Sequence, residues 1–182
     1  LTSALNAVPP YLLQQAIDGP IAENDVNGLI RAIRRGATVG PRIVRAGLMM
    51  SQTGGHGDFL GRHDTPTQPC RNLSYLEKSG VTIIADGVPE VRKRAREIMR
   101  AGASQIKVMA GGGVSSFYDP IDVTQYSPEE MKAIVQVAES YNTYVTVHAF
   151  TPDSIRQAIE AGVKCIEHGH LLDQWGCQDL DP

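Results

Sequence analysis

From residue 88 to residue 168 the chain repeats one unit three times, a helix-like stretch followed at once by a strand-like one. The strand-like segments are Gln105-Ile106-Lys107-Val108-Met109, Tyr144-Val145-Thr146-Val147-His148 and Lys164-Cys165-Ile166-Glu167-His168, each with a potential metal ligand at or near its end. In the first unit, Val91, Ala95, Ile98 and Met99 recur at helical spacing over residues 88–101, with Pro89 near the start and Gly102 just beyond the end. A strand over 103–109 follows. In the second unit, Ser127-Pro128-Glu129-Glu130 has the serine, first-turn proline and third-position glutamate of a capping box, ahead of Met131, Ile134, Val135 and Ala138. This helix is expected to end near Tyr141-Asn142, before a strand over 143–148. In the third unit, Thr151-Pro152 opens a helix that Gly162 closes, and a strand over 163–168 comes next. Such alternation requires a parallel sheet covered by helices, an α/β fold whose chemistry collects at the C-terminal ends of the strands.

The first 80 residues are less punctuated. Helices over 11–17 and 26–35 and a strand over 42–46 are expected. Residues 51–72, rich in Gly, Pro, Asp and His, read as a long functional loop or lid. A second long connection, residues 110–126, begins with Gly111-Gly112-Gly113. A triple glycine after a strand can cradle phosphate, but no helix start and no Lys-Ser/Thr pair follows, so close backbone approach or flexible access fits better.

Composition excludes several partners. With 182 residues, 42% of them hydrophobic, there is apolar material for one globular core. The net charge of -3 and scattered basic residues offer no footprint for nucleic acid or a membrane surface, and no apolar run reaches transmembrane length. Cys70, Cys165 and Cys177 are odd in number, far apart and without a CxxC pair, which points to a reducing, cytoplasmic setting. The chain has no initiator methionine and stops at Pro182, soon after a candidate site strand, so a piece of a longer protein is expected.

Strand alternation puts Gln105, Lys107 and Met109 on one face, Tyr144, Thr146 and His148 on one face, and Lys164, Ile166 and His168 on one face. In a doubly wound sheet, with helices on both sides, such polar rows would be costly; at the mouth of a barrel they are usable. Each residue also has a plainer reading. A strand-end histidine is often a hydrogen-bonded structural group, and a lysine there can pair with Glu167 or bind phosphate. Three such endings in succession favour a metal site.

Four segments carry a resemblance: Ser51-Gln52-Thr53-Gly54-Gly55-His56, the run from Gly102 through Lys107 and Gly111-Gly112-Gly113 to Val114, Thr146-Val147-His148-Ala149, and Gly162 through Glu167-His168-Gly169. In order, spacing and context they resemble the amidohydrolase superfamily, metal-dependent (β/α)8 hydrolases, and within it the prolidase-like Xaa-Pro dipeptidase and imidazolonepropionase-related branch. The likeness runs over residues 41–173 and is poor over 1–40. It implies that residues 1–182 are the central portion of one TIM-type barrel domain, a partial (β/α)8 barrel with its first and last parts missing.

The resemblance also implies a site. Lys107 would be carboxylated and bridge two divalent metal ions, zinc being the expected metal, with His148 and His168 as further ligands. A lysine amine that has taken up CO2 offers two carbamate oxygens, and imidazole offers a neutral nitrogen. Metal-bound hydroxide would attack the carbonyl of an amide or peptide-like bond in a small or dipeptide-like substrate. His56 would meet the substrate carboxylate, and Tyr126 would donate a hydrogen bond to the carbonyl oxygen. His56 can instead brace its glycine-rich loop, and Tyr126 can simply pack beside the helix cap. In Glu167-His168-Gly169-His170 the H-x-H spacing is present, but the context looks like the sixth barrel strand, where only the first histidine is a ligand. His170 is therefore expected beside the site.

Two departures matter. The H-x-H of the first barrel strand is absent before Lys107, and the aspartate that ends the eighth would lie beyond Pro182, since Asp173 and Asp179 follow the sixth strand too closely. A prolidase-like dipeptidase is the preferred reading. Alternatives are an amidohydrolase acting on a cyclic amide such as an imidazolone, a non-catalytic partial barrel or binding module, and a metal-free phosphate-binding βα barrel. Homo-oligomerisation is left open.

Overall fold

The computed structural model describes residues 44–61, 73–114 and 118–171, together with Asp25, Gly28 and Arg31. The chain forms two compact units, residues 1–44 and 45–182. In the first unit Gly28 and Arg31 are helical, within the stretch where a helix over 26–35 is expected, and the Asp25 carboxylate accepts from the Gly28 N–H at 2.8 Å. The other residues of the helix expected over 26–35, and all of the one expected over 11–17, lie outside the described residues.

The second unit runs β1 (Met49–Ser51), α1 (Tyr75–Lys78), β2 (Thr82–Ile84), α2 (Val88–Arg100), β3 (Ile106–Met109), α3 (Pro128–Ser140), β4 (Val145–Ala149), α4 (Pro152–Ala161) and β5 (Cys165–His168). The five strands form one parallel sheet in the order β2-β1-β3-β4-β5. Local chemistry sets the helix limits. Ser127 and Glu130 form a reciprocal capping box at the start of α3, Thr151 and Ser154 do the same for α4, and Gly162 closes α4 at φ 97°. Each of these helices also has a proline in its first turn, where the missing N–H is harmless.

The first half corrects the sequence reading. Residues 44–46 are not a strand, although one was expected over 42–46; β1 begins at Met49. The reason lies in where their polar groups go: the Arg45 carbonyl accepts from the Ser104 N–H at 2.8 Å and its guanidinium donates to the Ala101 carbonyl at 3.0 Å. This segment braces the α2–β3 turn, and Gly47, at φ 74°, then redirects the chain into the sheet. The short strand β2 was also not foreseen. It pairs with the outer side of β1, so β1 lies between β2 and β3.

One face of the sheet is apolar. Met50, Ile106, Val108, Val145 and Val147 are fully or almost fully buried in one cluster with Val91 and Ile98 of α2, Met131 and Ile134 of α3 and Ile155 of α4. The opposite face carries Met49, Lys107, Thr146 and Cys165 in one lateral row. Met109, His148 and Glu167 form the next. Helices on one side and polar side chains on the other describe an arc of a (β/α) barrel. No helix among the described residues is long and apolar enough to cross a membrane.

Denaturant unfolding of the chain tests this packing. Ile134→Ala is expected to cost about 2–5 kcal/mol by leaving a cavity, and Ser127→Ala about 1 kcal/mol by removing the cap. Tyr75→Ala, at a residue 81% exposed, is expected to stay within about 0.5 kcal/mol.

Candidate active site

The register brings Lys107 and His148 to one face. It also corrects the expected face of β5. Thr146 pairs with Cys165 and His148 with Glu167, so Cys165 and Glu167, rather than Lys164, Ile166 and His168, share the face of Lys107. Ile166 packs against the apolar core instead. A one-residue shift in register exchanges the two faces of a strand, and the segment Lys164 to His168 is too evenly mixed for its composition to specify which face is which.

His168 nevertheless reaches the site. It sits at the end of β5 with φ 77°, and this left-handed turn lets its ring meet that of His148 edge-on at 4.6 Å. His56, from the turn after β1, stacks on His148 at 4.2 Å and 14°. Phe150 lies 4.9 Å from both His148 and His168. His170 lies 6.2 Å from His168, beside the group. Four of the expected residues, Lys107, His148, His168 and His56, thus lie together at the C-terminal ends of the strands.

Tyr126 is held by other partners. Its backbone N–H donates to the Gln52 side chain, Gln157 donates to its carbonyl at 3.0 Å, and the charges that bear on its hydroxyl are Asp86 and Glu130. Among the described residues that buried hydroxyl has no hydrogen-bond partner, and burial holds its pKa well above the usual phenol value.

Two glycines let the loops close over this end of the sheet. A Cβ on Gly112 would lie 1.9 Å from the Pro120 carbonyl oxygen, and one on Gly55 would lie 2.3 Å from Gln125 Nε2. The Gly112 and Gly113 N–H groups donate to the carbonyls of Val123 and Asp119, so neither is turned toward an anion. The Gly112 carbonyl lies 2.8 Å from His148 Nε2. Asp119, in the same connection, lies 2.9 Å from His56 Nδ1 and fixes that ring's edge. Neither Asp119 nor Gln52 stands out in the sequence, because their partners are 63 and 74 residues away.

Electrostatics favour neutral donors. Burial pushes His148 down to about 4, with His56, His168 and Lys107 adding to the effect and the Gly112 carbonyl opposing it. His168 is lowered by burial and then by the charge of Lys107. Burial pushes the Lys107 amine down to about 8, against the influence of Cys165. Lys107 is ion-paired with Glu167, a contact that favours the charged amine and so opposes the effect of burial. Neutral imidazoles suit a divalent cation in donor type. Among the described residues no three His, Cys, Asp or Glu side chains form a ready-made cage.

The His148 shift has a measurable consequence. The folded state binds the imidazole proton only near pH 4 and the unfolded state near pH 6.5, so stability falls as the pH drops between these values. Linkage gives a loss of about 2 kcal/mol at pH 5 relative to pH 7. Unfolding curves at the two pH values check it, and His148→Gln is expected to remove most of the difference.

Comparison with known proteins gives these positions a context. A profile of the amidohydrolase family matches residues 15–181. Over 148 residues the chain is 39% identical to ochratoxinase from Aspergillus niger, covering 79% of this chain and 31% of that protein. A solved prolidase complexed with N-methylphosphonate-L-proline superposes with a TM-score of 0.73 at 45% identity, covering 83% of this chain and 36% of that one. A Xaa-Pro dipeptidase with methionine bound in its active site gives 0.69 at 32% identity, covering 84% and 36%. The chain therefore spans about a third of the length of these relatives. With nearly all of its residues matched by the family profile, the chain belongs to the amidohydrolase family.

Proposed function

We propose that this chain is the central part of a metal-dependent hydrolase of carbon–nitrogen bonds, acting on amide or peptide-like substrates, with a prolidase-like dipeptidase as the preferred activity. The observation that carries this reading is the meeting of Lys107, His148 and His168 at the C-terminal ends of parallel strands in a chain of this family. Relatives described as a prolidase with a proline phosphonate and a Xaa-Pro dipeptidase support the substrate class, and ochratoxinase widens it to other amides.

In this reading Lys107, as a carbamate, and the neutral rings of His148 and His168 hold two divalent ions, zinc by preference. Such ions supply Lewis acidity and make water a stronger acid. The chain's own residues do the rest. The low pKa of His148 keeps its lone pair available across neutral pH. His56, anchored by Asp119 and stacked on His148, is placed to meet the substrate carboxylate. Tyr126 stays protonated and keeps a buried donor for the carbonyl oxygen. The cysteine pattern supports a cytoplasmic setting, and the Cys165 thiol is free.

A second reading has one observation in its favour. The pairing of Lys107 with Glu167 is what a non-catalytic partial barrel would use to neutralise a buried lysine. Elemental analysis of the parent barrel separates the two. Lys107→Ala is expected to lose the metal shared with His148 and His168 and to lower hydrolysis of Xaa-Pro dipeptides by at least about 10³-fold. Retention of two metals per chain in that variant rejects the metal reading. Tyr126→Phe is expected to lower kcat by about 10²-fold with metal content unchanged; an unchanged kcat removes Tyr126 from the mechanism.

A further inference from the structure

We propose that Glu167 is a positioning residue for Lys107, holding the lysine amine across β4 toward the histidines before any metal arrives. The inference rests on the reading of Lys107 as a ligand, but its geometry is independent of that reading. Glu167 pairs with His148 in the strand register, on the face that carries Lys107. Its two carboxylate oxygens have different partners. Oε1 accepts from Thr146 Oγ1 at 2.8 Å, and Oε2 accepts from Lys107 Nζ.

Thr146 makes this arrangement directional. It is buried on β4, directly between Lys107 and Cys165 in the lateral row, and its hydroxyl donates to Glu167. The carboxylate is thereby tied to β4 by one oxygen and offers the other to the lysine. Lys107 starts on β3 and carries a flexible four-carbon stem, which without a partner would extend toward solvent. The bond to Glu167 draws its amine over β4 instead, toward the strand that carries His148. An ion pair with so open a carboxylate adds little to stability, so direction rather than strength is what it contributes.

The test needs no metal. The metal-free chain is acetylated with a succinimidyl ester, and labelling of Lys107 is read by peptide mass mapping as a ratio to Lys93, whose side chain is 60% exposed. Glu167→Ala is expected to raise that ratio at least fivefold. Glu167→Gln, which keeps an acceptor oxygen for one of the two partners, is expected to fall between Glu167→Ala and the unsubstituted chain. Because Lys107 is buried and Lys93 is not, loosening of the whole fold would also raise the ratio, so denaturant unfolding of each variant accompanies the labelling: a raised ratio at an unchanged unfolding midpoint supports the proposal, and no rise, or a rise only in step with a lowered midpoint, overturns it. If Glu167→Ala does not fold, Thr146→Val carries the test: a rise of about twofold in the ratio supports the proposal, and no rise overturns it. Loss of the positioning effect leaves the metal reading standing, since no metal enters the measurement. Failure of the metal reading in turn does not alter the labelling ratio.

Discussion

The parallel register of β3, β4 and β5 is the constraint on which the site depends. Aligning Lys107, Thr146 and Cys165 in one row across the strands, and Met109, His148 and Glu167 in the next, fixes which side chains face the open side of the sheet and which face the helices. A shift of one residue would turn Lys107 and His148 into the apolar layer beside Ile98 and Met131, where an unpaired charge is costly. The apolar residues between them, Val108 and Val147, hold the register by filling the space under α2, α3 and α4. Packing on one face thus holds the chemistry of the other.

The loops complete what the strands begin. Gly55 and Gly112 allow backbone approaches that a side chain would block, and through them the turn after β1 meets the connection after β3. His56 then reaches Asp119 on one side and His148 on the other. The result is a stack of imidazoles in which burial suppresses protonation at His148, next to a lysine paired with Glu167. That is a setting in which nitrogen donors are available to a cation at neutral pH.

Much of the fold is legible in the sequence because its signals are local. Ser127 with Glu130, Thr151 at the start of α4 and Gly162 at its end act over a few residues, and α2, α3 and α4 begin and end within a residue or two of where they are expected. The short strands β1 and β2, three residues each, are hidden because nothing local separates them from the adjoining loops. Within the site, Lys107 and His148 are legible from alternation, whereas the placement of Glu167 is not. Its face is a property of how β5 pairs with β4, and His168 escapes the alternation rule through one left-handed residue. Asp119 and Gln52 act across tertiary distance and leave no pattern along the chain.

The central claim is that the strand ends form a metal centre, and anomalous diffraction at the zinc absorption edge from crystals of the parent barrel tests it most directly. The account predicts an anomalous peak about 2.0–2.1 Å from a ring nitrogen of His148 and of His168, with Lys107 released from Glu167 and contributing to the same centre. An anomalous map with no peak beside those rings, and Lys107 still paired with Glu167, would contradict it.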